Sequence, residues 1–270
     1  MRLTQRIMDL VTVQSARVAR ERGDLVLAPG EVPIGGGTWL YSEQQPGVTG
    51  VVDLLGMGWE PITRTANSIV IAATCTIEML RALPDSPLFL QCADSLLASW
   101  KIQRIATVGG NIALALPAGP MTSLAVGLDA TLVLWTATSE RRVPAVSFVT
   151  GVRTTVLAPG EVLRAIDVPL ASLHRTAFRR IALSPLGRTG TLVTGRTDAS
   201  GDTVFGVTGG TTRPHRLAFD DPPSAAQVAA AVDTIDDWYD DAHGSPDWRR
   251  AMSLAFCEEI RKELGEVPAE

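Results

Sequence analysis

Apolar positions recur along this chain with two periods, and the switches between them mark its elements. Over residues 4–22, Ile7, Leu10, Val11, Ala16 and Val18 fall at roughly helical spacing. Gly23 follows the charged residues 20–22 as a C-cap, so a helix is predicted there. Short β-branched runs at 25–27, 32–34, 51–55 and 68–74 read as strands. Thr76 stands before Glu78 and an apolar run, the pattern of an N-cap opening a helix over 76–83. Leucine- and alanine-rich helices are expected over 88–100 and 121–128, strands over 130–135 and 161–168, the latter stopped by Pro169, and another strand or edge segment over 143–149. Beyond a change of composition at 170–176, the runs 177–181, 190–196 and 203–208 read as successive strands of an antiparallel sheet, with 198–202 as a hairpin turn. Helices over 224–239 and 247–264 close the pattern. The second would place Trp248, Met252, Ala255, Phe256 and Ile260 on one face, and the acidic cluster 236–241 reads as a solvated helix end.

Two glycine-rich stretches interrupt this pattern. Ile34-Gly35-Gly36-Gly37-Thr38-Trp39 ends a strand in three residues that are entropically costly to order, a cost more readily carried where a ligand must touch the backbone. Thr107-Val108-Gly109-Gly110-Asn111 follows about 70 residues later. Gly109 and Gly110 suit a tight turn with positive φ, and Asn111 offers hydrogen bonds beside it. Successive peptide N–H groups in such loops form anion-binding nests, so two loops clamping a diphosphate are expected, with an apolar slot for a flat ring. Neither stretch has the GxGxxG spacing of the dinucleotide fingerprint.

Composition narrows the choices. Hydrophobic residues make up 46% and charged residues 20% of the 270, the balance of a globular chain with a substantial core. Lys plus Arg number 24 against 29 Asp plus Glu, and the resulting −5 argues against nucleic acid as a partner. No run of 18 apolar residues occurs, and the charged N-terminal stretch lacks a signal core, so a cytoplasmic protein without a membrane span is expected. Cys75, Cys92 and Cys257 form no C-x-x-C pair and cannot supply four thiolates to an iron–sulfur cluster. His174, His215 and His243 have no zinc-ligand spacing, and neither GxSxG nor a P-loop occurs.

The two loops and their surroundings resemble the FAD-binding medium subunit of the molybdenum hydroxylases, the xanthine dehydrogenase and carbon monoxide dehydrogenase family. That family's first loop resembles AGGT followed by Asp or Ser and Leu, here residues 34–40, and the VVDLLGM run at 51–57 follows in the same way. Its second loop resembles QIRN-x-ATIGGN and a PAGD, here Lys101 to Gly119, and its ALDA is similar to Gly127-Leu128-Asp129-Ala130. The resemblance implies an α+β fold: a two-lobed PCMH-type (vanillyl-alcohol-oxidase-like) FAD-binding domain, with lobes 1–57 and 58–170, then an α+β C-terminal flavoprotein domain, 171–270, with a small antiparallel sheet and helices. It implies FAD contacts at Ile34, Gly35, Gly36, Gly37, Thr38, Trp39, Thr107, Gly109, Gly110 and Asn111. Leu163 would lie near the isoalloxazine, and Arg179 would be a cation beside it.

The chain departs from the family where Trp39 replaces Asp, Ser or Glu, where Gln103 and Arg104 replace an Arg-Asn pair, and where Pro120 replaces an acidic residue. The implied function is electron transfer through FAD, from [2Fe-2S] clusters in a small partner subunit that are fed by a molybdenum cofactor in a large one, to NAD, a quinone or oxygen. The implied assembly is a dimer of heterotrimers. A stand-alone FAD oxidoreductase, or a flavin-free structural subunit with a degenerate site, is the alternative.

Overall fold

Three short strands, β1 (Ser15–Val18), β2 (Glu31–Ile34) and β3 (Gly50–Asp53), open the fold in a computed structural model that describes residues 10–266. β3 lies between the other two and pairs with both in parallel. This corrects the helix expected over 4–22, of which 4–9 lies outside the described residues. Non-local pairing overrides the local period: Ala16 sits opposite Val51 and Val18 opposite Asp53. Arg17 reinforces the strand by reaching across the sheet to Glu31, at 3.0 and 2.8 Å, and to the carbonyls of Asp24 and Val26. The strand expected at 25–27 is also absent. Arg22–Leu25 forms a 3-10 turn instead, because the Asp24 carboxylate accepts the N–H groups of Arg20 and Glu21.

The second sheet is antiparallel. Its strands are β4 (Ile62–Arg64), β5 (Ser68–Ala72), β6 (Thr131–Trp135) and β7 (Glu140–Pro144); after the small hairpin of β8 (Val149–Gly151) and β9 (Thr154–Thr155) comes β10 (Val162–Pro169). The order is β4-β5-β10-β6-β7. Helices α1 (Ile77–Arg81), α2 (Pro87–Ser95), α3 (Trp100–Gln103), α4 (Val108–Leu114) and α5 (Pro120–Gly127) connect β5 to β6. Ile69, Ile71, Leu132 and Ile166 of the sheet share one core with Leu80, Phe89, Ile112 and Leu124 of these helices. Thr76 caps α1 as its sequence predicts, accepting the Met79 N–H. The helix expected over 88–100 stops early, because Leu97 takes a left-handed φ of 54° and Ser99 starts α3 afresh. Arg22 lies over the Trp135 ring and Arg164 over both Trp59 and Trp135, joining the first sheet's surroundings to the second.

The third sheet is an antiparallel meander of β11 (Arg175–Ile181), β12 (Thr191–Thr197), β13 (Thr203–Thr208) and β14 (His215–Phe219). Two helices, α6 (Ala225–Asp233) and α7 (Pro246–Gly265), cover it around Val193, Phe205, Val232 and Ile260. In α7 the inward face is Arg249, Ser253, Phe256, Cys257, Ile260 and Leu264, while Ala255 is exposed. The acidic cluster is not a solvated helix end. α6 stops at Asp233, and Asp237 then accepts hydrogen bonds from Thr212 Oγ1 and the Arg213 N–H and pairs with His215.

Helix α5 is buried on every side, packed on the second core and against β12 and β13 of the third sheet. Just after it, Asp129 takes a φ of 48° and aims its carboxylate at the third sheet. There it accepts Arg216 at 2.5 and 2.7 Å and pairs with the buried Arg196. Burial pushes the Asp129 carboxyl upward, but the Arg216 hydrogen bonds and both guanidinium charges outweigh it and hold the group below its ordinary value. A carboxyl depressed in the folded state adds stability above its unfolded pKa and loses it as the pH falls through the folded one. Asp129→Asn is therefore expected to lower stability at neutral pH by about 2–3 kcal/mol, and to flatten the acid side of a thermal-midpoint-against-pH curve. An unchanged acid limb would assign the slope to other carboxylates.

Candidate functional site

A cleft of about 730 Å³ opens where the three sheets' units meet, a volume within the range of cofactor sites. Both glycine stretches line it: Ile34 to Trp39 on one side, and Thr107, Gly110 and Asn111 on the other. Leu96, Ala98, Ile102, Ala113 and Leu114 supply apolar wall, and Leu186, Arg188 and Thr189 approach from the third unit.

The two loops touch. A Cβ on Gly36 would lie 1.7 Å from the Ile105 carbonyl oxygen, so only glycine lets the backbones meet. Gly37 turns the chain with a φ of +65°. From Gly35 to Trp39 no backbone N–H finds an acceptor among the described residues. Five successive free donors beside a cleft are the provision for an anion.

The second loop is built differently. Gly109 and Gly110 do not form a positive-φ turn but begin α4. Its N–H groups are already used: Val108 donates to Cys75 O, Gly109 to Ala73 O, Gly110 to Thr107 Oγ1 and Asn111 to Thr107 O. Gly109 is required by packing, since a Cβ there would meet Ala73 Cβ at 2.4 Å. This stretch is a wall rather than a nest. Its polar contribution is Asn111, whose Oδ1 accepts the Met121 N–H at 3.0 Å at the start of α5. That bond fixes the amide and leaves its Nδ2 donors without a partner among the described residues. Trp39 adds a further donor. Its Nε1 is buried with no acceptor among the described residues, a state that costs about 1–3 kcal/mol.

Leu163 and Arg179 do not line the cleft. Leu163 is a core residue of β10 paired with Leu134. Arg179 is held by Glu259 and Glu263 of α7, each at 2.8 Å. The charged side chain that lines the cleft is Arg188, which makes no ion pair among the described residues. Its loop is anchored from behind, by Arg180 to Thr189 Oγ1 and Gly187 O, and by the fully buried Arg249. Arg249 donates to the carbonyls of Gly190, Gly209 and Gly244 and pairs with Asp241. One sequence signal could have pointed here: Leu183-Ser184-Pro185-Leu186 carries two exposed leucines in a β-connection too long for a plain hairpin.

Among the described residues no group of His, Cys, Asp or Glu could hold a metal. Burial pushes the Cys75 and Cys257 thiols up to about 12 and raises Cys92 as well, which removes them as thiolate ligands. No helix among the described residues is long and apolar enough to cross a membrane.

Residues 11–171 match the model of the FAD binding domain in molybdopterin dehydrogenase. The chain belongs to this family. The match covers both glycine stretches and the first two sheets, and FAD is the cofactor of this domain. A curated relative, the glyceraldehyde dehydrogenase medium chain of Sulfolobus acidocaldarius, is 30% identical over 89 residues, 33% of this chain and 32% of that one. The chain thus aligns with about a third of that relative's length. Solved structures extend the likeness of fold to nearly the whole molecule. CO dehydrogenase from Oligotropha carboxidovorans matches with a TM-score of 0.79 at 20% identity, over 92% of this chain and 96% of that one. Quinoline 2-oxidoreductase from Pseudomonas putida 86 matches with 0.76 at 20%, over 93% and 98%. The lining fits such a cofactor: residues with free backbone N–H groups stand at the cleft, apolar side chains wall it, and a buried indole N–H there has no acceptor among the described residues.

Proposed function

We propose that this FAD-binding chain is the electron-transfer subunit of a multi-subunit molybdenum hydroxylase. The observation that carries the reading is the run of free N–H groups over Gly35–Trp39, which shares one cleft with the second glycine stretch. Bound there, FAD supplies the redox exchange between a partner's [2Fe-2S] clusters and an acceptor such as NAD, a quinone or oxygen. The chain's own residues bind and orient. Gly35 to Trp39 and Asn111 hold the diphosphate and sugar chain, while Thr107 and Gly109 fix the wall behind them. Arg188 supplies a cation that favours negative charge on the cofactor. Leu163 and Arg179, which do not line the cleft, have no part in this reading.

In this reading lobes 1–57 and 58–170 form a PCMH-type domain, and 171–270 forms the C-terminal flavoprotein domain. The partners are a small [2Fe-2S] subunit and a large molybdenum-cofactor subunit, in a cytoplasmic dimer of heterotrimers. Cys75, Cys92 and Cys257 are buried, which disfavours them as cluster ligands and supports this reading. Exposed Leu97, Trp100, Ile102 and Ile105 beside the cleft suit a subunit contact.

Two measurements test this. The purified chain is expected to retain flavin absorbance after desalting, and FAD at a hundredfold its Kd should add about 2.7 kcal/mol of stability. The complex isolated through this chain should carry iron and molybdenum. Flavin without iron and molybdenum would point to a stand-alone flavoprotein, and absence of flavin from both preparations would overturn the reading.

A further inference from the structure

Trp39 is the one indole among the described residues whose N–H is both buried and unpaired. The contrast is within the chain: Trp135 donates to Glu140 at 2.8 Å, and Trp238 donates to the Ile235 carbonyl at 2.9 Å. Trp39 also lines the cleft, at the end of the run of free backbone donors. Its backbone is held, since its carbonyl accepts both the N–H and the hydroxyl of Ser42, at 3.0 and 2.7 Å. The side chain alone is left to adjust.

An indole N–H is a donor with no acceptor function, so only an acceptor can satisfy it. The described residues offer none. FAD brings an acceptor-rich diphosphate and sugar chain to this wall. We propose that the Trp39 indole turns as the cofactor binds and donates its N–H to a diphosphate or ribityl oxygen. The residue is thereby a positioning donor for the cofactor, in a place where the resemblance noted above leads one to expect a short polar side chain. The inference rests on the FAD site described under Proposed function and names one bond within it.

The bond has a direct spectroscopic reading. In the 15N-labelled full chain, the Trp39 indole N–H resonance is assigned by its disappearance in Trp39→Phe. On titration with FAD it is expected to move downfield and to gain protection from solvent exchange. Titration with ADP divides the acceptors: a shift with ADP as well assigns the diphosphate, and a shift with FAD alone assigns the ribityl chain. Trp39→Phe keeps a ring and deletes the donor. It is expected to weaken FAD binding about tenfold, the worth of one hydrogen bond, while the thermal midpoint of the cofactor-free chain does not fall, because the unpaired buried donor is gone. Equal FAD affinity in wild type and Trp39→Phe, or an indole resonance that stays in place while wild type binds FAD, would overturn the inference and leave the site standing. A wild-type chain that binds no FAD would overturn the site and the inference together.

Discussion

Gly36→Ala is expected to cost the chain its FAD and part of its stability at once. The added methyl would lie 1.7 Å from the Ile105 carbonyl oxygen and 2.5 Å from its carbon, and both are backbone atoms that cannot swing aside. The loop after β2 must therefore lift away from residues 105–107, and the free donors of Gly35 to Trp39 move with it. Overpacking of this kind costs about 1–3 kcal/mol of stability. The displaced donors should lower FAD affinity about a hundredfold, roughly 2.7 kcal/mol. Gly47→Ala is the control, because a Cβ there meets nothing within 4 Å, and both quantities should stay within about 0.5 kcal/mol of wild type. Calorimetry and a flavin titration on the two variants read these effects. A Gly36→Ala chain that keeps full affinity would show that the backbones do not need to touch for the site to form.

The second large effect lies far from the loops. Arg249→Met keeps the apolar stem but abandons three carbonyls and the Asp241 carboxylate within the third unit. Removing one partner of a buried ion pair leaves the other uncompensated, so a loss of about 3–5 kcal/mol is expected in denaturant melts. Adding Asp241→Asn should recover part of that loss, because the stranded charge is gone while the carbonyls stay unpaired. Equal losses in the single and double variants would assign the cost to the carbonyls alone. Since Gly190 follows Thr189 of the cleft wall, Arg249→Met should also loosen FAD retention without touching the cofactor.

Local patterns were legible where local chemistry decides the outcome. Thr76 as an N-cap, Pro169 as a stop and the meander with its turn at 198–202 needed only their own neighbours. The two glycine stretches were visible for the same reason, and they do line one cleft. What a distant segment decides was hidden. The strand Ser15–Val18 exists because Gly50–Asp53 lies beside it, against its own helical period. The N–H groups of the second glycine stretch look free in the sequence and are taken by Ala73, Cys75 and Thr107. Asp237 and Asp241 read as solvated charge because their partners lie on other elements: His215 on β14, and Arg249 on α7, which turns back only after the loop that follows Asp241. Nothing local distinguishes Arg188 from Arg179, since which arginine meets Glu259 and Glu263 depends on how α7 lies across β11.

The cleft takes its walls from three separately cored units, and this makes its occupant a reporter on the weakest of them. Local opening of any one unit removes a wall, whether or not the other two stay folded. Colour lost from the protein on warming, or during storage, therefore measures the first sub-global opening rather than complete denaturation. By the same linkage, the pigment acts as mortar: whatever free energy it contributes on binding must be overcome before any of the three units can part from its neighbours.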